Sequence, residues 1–154
     1  MAEYRLAVLD ELPELVGLVR SATQTAYPYL PFDPVVTEEV LEEAMLKDDA
    51  MVMVADADDG LAGFVAGEIN LSWFGDGRVA SDWITYATPT AGPWVGYQLH
   101  KHFVEWAKSK SVDSIVASNF SPLPDDGMNR VFKRLGYEVV GSTVRLNPAQ
   151  AKGE

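Results

Sequence analysis

Between residues 88 and 99 the chain reads Thr-Pro-Thr-Ala-Gly-Pro-Trp-Val-Gly-Tyr-Gln-Leu. This stretch follows an apolar, strand-like run and opens a long amphipathic helix. Gly92 and Gly96 bracket a strand-to-helix turn, a place where backbone N–H groups at the positive end of a helix dipole can face a pyrophosphate. The same two glycines also suit a tight turn and close helix packing. Trp94 can fill the turn, stack on an adenine, or pack under the aromatic loop at residues 27–32. Packing is favoured, because large aromatics usually bury themselves. His100 and His102 stand two apart on the same helix, so they cannot share a face or a metal ion, and both are expected at the surface.

Composition narrows the chemistry. The chain has 154 residues, read as one domain over 1–154, and 47% of them are apolar. With no cysteine, a disulfide, a thiolate nucleophile and a cysteine metal site are all excluded. Two histidines on one helix also disfavour a metal cage, so no metal is expected. The net charge of −11 has the wrong sign for sequence-independent nucleic-acid binding. It favours solubility, and by steering it favours cationic partners such as amines. The first residues lack a signal-peptide plan and no apolar run reaches membrane-spanning length. A cytoplasmic setting without membrane association is therefore expected.

The elements that position the turn follow from periodicity. Residues 5–9 read as a first strand. Asp10 is a candidate cap for the helix that follows, in which Leu12, Leu15, Val16 and Val19 form an apolar stripe. A proline-punctuated aromatic loop spans 27–34. Thr37 then caps a second helix with Val40, Leu41, Ala44 and Met45 facing inward and four glutamates outward. Residues 51–55, 61–71 and 80–87 form an antiparallel meander, with Asp58-Asp59-Gly60 as its first turn. A helix over 95–110 places Val95, Leu99, Phe103, Trp106 and Ala107 on one stripe. Residues 114–118 are a strand, a short helix ends at Gly136, and 137–146 is the last strand. This order predicts an α+β or mixed α/β sheet with helices on both faces. The two strands joined by the central helix should run parallel. By alternation, Asp82, Ile84 and Tyr86 share one face.

Order and local residues together resemble the GNAT superfamily of acyl-CoA-dependent N-acetyltransferases. Four segments carry the likeness: 5–13, 61–65, 83–99 and 132–141. The last is the most specific, with its Leu-Gly-Tyr step and Val-Val-Gly strand. The stretch 73–82 is also similar to members encoded by tailed phages. The resemblance implies a mixed, mostly antiparallel sheet flanked by helices, with parallel fourth and fifth strands splayed apart. It implies acetyl-CoA as co-substrate and transfer of an acetyl group to a primary amine, on a small molecule or a peptide. Backbone amides near Tyr86 and Ala87 would contact the thioester. Gly92, Val95 and Gly96 would hold pyrophosphate, and Tyr97 and Asn119 would touch the pantetheine arm. Asp82 and Glu68 lie on strands near the implied cleft, where either can relay a proton from the amine. For each of these residues a purely structural role stands beside the functional one.

The sequence also departs from the family pattern. The leading basic or amide residue of the loop is Ala91, the inner glycine is Trp94, Pro93 removes an N–H donor, and Phe132 replaces the usual acid tyrosine. These departures leave a second function open: a GNAT-fold protein without catalysis, with a structural or interaction role, as in a phage particle. Oligomer or virion assembly stays open with it.

Overall fold

The protein is described here by a computed structural model covering residues 2–118 and 127–150. Five strands form one sheet in chain order: β1 (Glu3–Leu6), β2 (Ala50–Ala57), β3 (Gly60–Leu71), β4 (Arg78–Ala87) and β5 (Ser114–Val116). All neighbours are antiparallel except β4 and β5, which are parallel. Helices α1 (Leu12–Ala26) and α2 (Pro34–Leu46) join β1 to β2, and α3 (Pro93–Ser109) joins β4 to β5. A short α4 (Gly127–Arg134) follows. Among the described residues the order matches the expected one up to this helix.

The core lies on both faces of the sheet. Leu12, Leu15 and Ala22 of α1 and Leu41 and Ala44 of α2 pack on Val52, Val54, Phe64 and Ala66. Val95, Leu99, Phe103 and Ala107 of α3 pack on Met51, Val65, Ile69 and Ala80 from the other side. The stripe read along the central helix is therefore the buried one. Burial of such side chains contributes about 1.5–3 kcal/mol each, which outweighs the weak intrinsic strand preference of a run such as Ala50–Ala57.

Several boundaries shift for identifiable reasons. Leu9–Glu11 is a 3-10 turn rather than strand, and Asp10 caps nothing; α1 starts from Glu11 with no side-chain cap. Glu11 instead pairs with Arg5 at 2.6 Å, and Arg5 also reaches Asp56 at 2.8 Å, which pins β1 to the turn. The second helix is capped by Asp33, whose Oδ1 accepts from the Val35 and Val36 amides, with Pro34 in its first turn. Thr37 lies inside the helix and Val40 is exposed. The expected last strand at 137–146 does not join the sheet: Val139 is 94% exposed, and Val140, Val144 and Leu146 are also exposed. Of that stretch, Tyr137 packs its ring on His100 and Phe132, and Arg145 lies over Tyr29 at 4.0 Å. Gly136 does close α4, with a φ of 95°.

Candidate active site

The site begins with one extra residue. Ala66 pairs with Ile84, but the next residue of β3, Gly67, pairs with Asp82, so Trp83 is bulged out of the ladder. The bulge breaks the alternation that would have put Asp82, Ile84 and Tyr86 on one face. Trp83, Ile84 and Tyr86 pack toward α1 and α2, whereas Thr85 reaches α3. The Asp82 carboxylate turns the same way as Thr85. Gly67 makes room for this turn: a Cβ there would sit 2.6 Å from Phe103 Cε1 and 3.0 Å from Asp82 Cα.

A second irregularity opens the space. The β4–β5 ladder runs only from Val79↔Ser114 to Ser81↔Val116, while β4 continues to Ala87. Beyond Ser81, that edge of β4 has no partner strand among the described residues, so the two parallel strands splay. The cleft there has a volume of ≈ 170 Å³. It is lined by Ala22, Thr25, Ala26 and Tyr27 from the end of α1, by Asp82 to Tyr86 of β4, by Ser118, and by Met128 and Phe132 of α4.

Asp82 lines the cleft, and His100 lies buried beside it. The Asp82 side chain is 3% exposed and His100 is fully buried, with Nδ1 3.7 Å from Asp82 Oδ2. Thr85 Oγ1 links them, 3.3 Å from Oδ2 and 2.8 Å from Nδ1. On its far side His100 Nε2 is 2.8 Å from the Tyr137 hydroxyl, and Phe132 packs edge-on against the imidazole with centroids 5.0 Å apart. Burial pushes the Asp82 carboxyl up to about 6, opposed by the Thr85 hydroxyl and by backbone amides of Ser118 and Asp82. Those amides do not reach hydrogen-bond geometry at Oδ1, which has no partner among the described residues. Burial pushes His100 down to about 4, so the ring is neutral near pH 7. Burial, and then the Asp82 charge, raise Tyr137, which keeps its proton.

These states fix the direction of the hydrogen bonds. Tyr137 donates to His100 Nε2, His100 Nδ1–H donates to Thr85, and Thr85 donates to Asp82 Oδ2. Every donor is matched by an acceptor, and the one carboxylate oxygen left without a partner among the described residues is the buried Oδ1 of Asp82, a residue that lines the cleft. His100 is therefore a buried polar residue and not the surface residue expected from the sequence. Its signal was present in the stripe Gly96, His100, Phe103, Ala107. Tyr137 lay in the recognised Leu-Gly-Tyr step, but nothing local tied it to a residue 37 positions earlier. His102 is half-buried and stacks on Tyr4 with centroids 5.5 Å apart.

The turn before α3 is open. Gly92 is the N-cap with a φ of 87°, and a Cβ there would meet nothing within 4 Å. A helix leaves its first-turn N–H groups without internal acceptors; here they belong to Gly92, Trp94 and Val95, since Pro93 has none. Gly96 is buried, and a Cβ there would lie 3.9 Å from Met128 Sδ. Trp94 does not pack under the loop at residues 27–32. It is 58% exposed and lies on Tyr97, with centroids 5.2 Å apart, and Arg134 covers Tyr97 at 5.3 Å.

The remaining expected residues fall as follows. Tyr86 lines the cleft and packs on Phe64, and Ala87 packs toward α3. Glu68 is not brought to the cleft. It bonds to Asn70 Nδ2 at 2.7 Å and lines a separate hollow with Lys47, Asp48 and Asp49. Strand pairing explains this: Glu68 stands opposite Ser81, where β5 still closes the edge. Asn119 lies outside the described residues. Among the described residues no cluster of metal-ligating side chains occurs, and no helix is long and apolar enough to cross a membrane.

A parallel fourth and fifth strand that part after three pairs, a bulged fourth strand, and a glycine-capped helix between them define a known architecture. This is the GNAT fold. Solved structures superpose over nearly the whole chain. A predicted acetyltransferase of Clostridium acetobutylicum, solved with acetyl-CoA, shares 17% identity over 99% of this chain and 100% of that one, with a TM-score of 0.74. Glucosamine-6-phosphate N-acetyltransferase of Arabidopsis thaliana shares 13% over 96% and 99%, with a TM-score of 0.73. AAC(6')-Iy, in complex with the bisubstrate analogue CoA-S-monomethyl-acetylneamine, shares 19% over 96% and 97%, with a TM-score of 0.70. No family model matches the sequence, and no curated protein matches it.

Proposed function

We propose that this GNAT-fold protein transfers an acetyl group from acetyl-CoA to a primary amine, with Asp82 as the base. The observation that carries the reading is Asp82: it lines the cleft at the parting of β4 and β5, and its buried Oδ1 has no hydrogen-bond partner among the described residues. The chain fits the co-substrate. The open β4 edge near Tyr86 and Ala87 offers backbone groups to a pantetheine arm. The amides of Gly92, Trp94 and Val95 offer an anion site at the positive end of α3, with Gly92 leaving it clear. Gly96 faces Met128, where a Cβ would make only ordinary contact, and Tyr97 carries Trp94.

Acetyl-CoA supplies an activated acetyl group. The residues supply proton handling. An amine arrives protonated and must lose that proton before it attacks, and a carboxyl held at about 6 is ionised and ready near neutral pH. Asp82 takes that first proton, and a second leaves the nitrogen to water as its bond to the acetyl carbon forms and the carbon–sulfur bond breaks. The departing thiolate takes a proton from solvent, since Phe132 has none and the Tyr137 hydroxyl is committed to His100.

The departures at Ala91 and Phe132 favour a second reading, a non-catalytic interaction protein such as a phage particle component. The exposed position of Trp94 weakens it, because the indole does not occupy the turn. Thermal melting with acetyl-CoA, joined to a free-thiol assay with an amine, tests both. Acetyl-CoA at 100 times its Kd should stabilise the fold by about 2.7 kcal/mol. No shift at millimolar acetyl-CoA, and no thiol release, would leave the non-catalytic reading.

A further inference from the structure

We propose that the cleft takes a compact primary amine on an uncharged, apolar, ring-sized body, and excludes acceptors bearing phosphate or carboxylate. The proposal rests on the acyl-transfer reading for its chemistry, and on the cleft itself for its selectivity. Asp82 is the one charged residue among the described lining residues. Its side chain is almost wholly buried, and its Oδ1 has no hydrogen-bond partner among the described residues. No lysine or arginine lines the cleft among the described residues.

Most of the rest of the wall is apolar or aromatic, with Tyr27, Trp83, Ile84, Tyr86, Met128 and Phe132 the large side chains, and its polar members, Thr25, Thr85 and Ser118, are uncharged. An ammonium group there gains Asp82. A phosphate or carboxylate would meet a carboxylate with no cation to offset it, and burying an uncompensated charge is costly. The size points the same way. An apolar cavity of about 150 Å³ holds a benzene ring, and this cleft measures ≈ 170 Å³. A single ring with a short amine arm fits. Aromatic walls reward such a body through offset and edge contacts.

Three matched probes isolate charge from shape: 2-phenylethylamine, phenylalanine and phenylalaninamide, with glucosamine 6-phosphate as the phosphorylated comparison. With acetyl-CoA, kcat/KM for 2-phenylethylamine should exceed that for phenylalanine and for glucosamine 6-phosphate at least tenfold. Phenylalaninamide should recover much of the loss. Thr25→Arg, which sets a cation on the cleft wall, should narrow the gap for phenylalanine. Equal or better use of phenylalanine or glucosamine 6-phosphate overturns the proposal. Calorimetric binding of 2-phenylethylamine alone separates this from the reaction. Saturable binding that Asp82→Asn abolishes supports the cleft assignment even if acetyl-CoA is neither bound nor consumed. Absence of such binding overturns it.

Discussion

His100 Nδ1 lies 3.7 Å from Asp82 Oδ2, with Thr85 Oγ1 bridging the two. Neither residue is adjacent to the other in the chain, and both are removed from water. Burial moves them in opposite directions: the carboxyl is raised to about 6 and the imidazole lowered to about 4. Each is driven toward its neutral form.

The pH dependence of stability follows from that opposition. Asp82 is raised from 3.8, so its contribution is fully present below that value and is lost as pH rises through about 6. His100 is depressed from 6.5, so its neutral-form contribution is present above that value and is lost as pH falls through about 4. Between those limits the two slopes, each up to about 1.4 kcal/mol per pH unit, largely cancel. Asp82→Asn should therefore unmask stability that rises with pH from about 4 to 6.5. His100→Gln should unmask stability that falls as pH rises from about 4 to 6. Urea titrations across this range check both; parallel profiles for wild type and the two variants would contradict the assignment.

Activity should follow Asp82 as well. The pH profile of kcat/KM should climb through about 6 as the carboxyl ionises. Asp82→Asn should lower kcat/KM by about 10²–10⁴ while acetyl-CoA binding, read by calorimetry, stays unchanged. Glu68→Gln should alter neither by more than about twofold, because its carboxylate is bonded to Asn70 away from the cleft.

Tyr137→Phe removes the donor to His100 Nε2 and leaves a buried acceptor unmatched. The expected cost is about 1–3 kcal/mol, seen as a fall of several degrees in Tm for a domain of this size. Because the chain of donors ends on Asp82, the midpoint of the activity profile should also shift upward. A change in Tm with an unmoved midpoint would mean that Tyr137 acts on stability alone.

Gly67→Ala tests the bulge. A methyl group there meets Phe103 and the backbone at Ser81 and Asp82. Overpacking of this kind costs about 1–3 kcal/mol, and Asp82 must shift if the fold survives. Gly92→Ala presents a different case: space is open, but a φ of 87° strains any other residue. It should cost about 1–2 kcal/mol and weaken acetyl-CoA more than it weakens the fold. Thermal melts with and without acetyl-CoA separate the two.

Trp94→Gly measures whether the indole obstructs the turn. Since the ring lies exposed on Tyr97, affinity for acetyl-CoA should not improve. A clear gain, of tenfold or more, would mean that the ring swings inward.

Sequence alone determined the element order as far as α4, the two-faced sheet, the parallel pair around the central helix, and the glycine-bearing turn before it. Each is written in short-range periodicity or in turn chemistry, which act within one or two turns of chain. Tertiary structure decided which groups the site contains. The bulge at Trp83 reversed the side chains that alternation assigned, and no local signal marks a single inserted residue. His100 reads as polar on any scale, yet packing of α3 against β4 buries it and supplies partners from Thr85 and Tyr137. Glu68 and Asp82 look equivalent along the chain; only the point where β5 parts from β4 separates them. Strand 137–146 has the right pattern, but a pattern becomes a strand only when a neighbouring edge receives its hydrogen bonds.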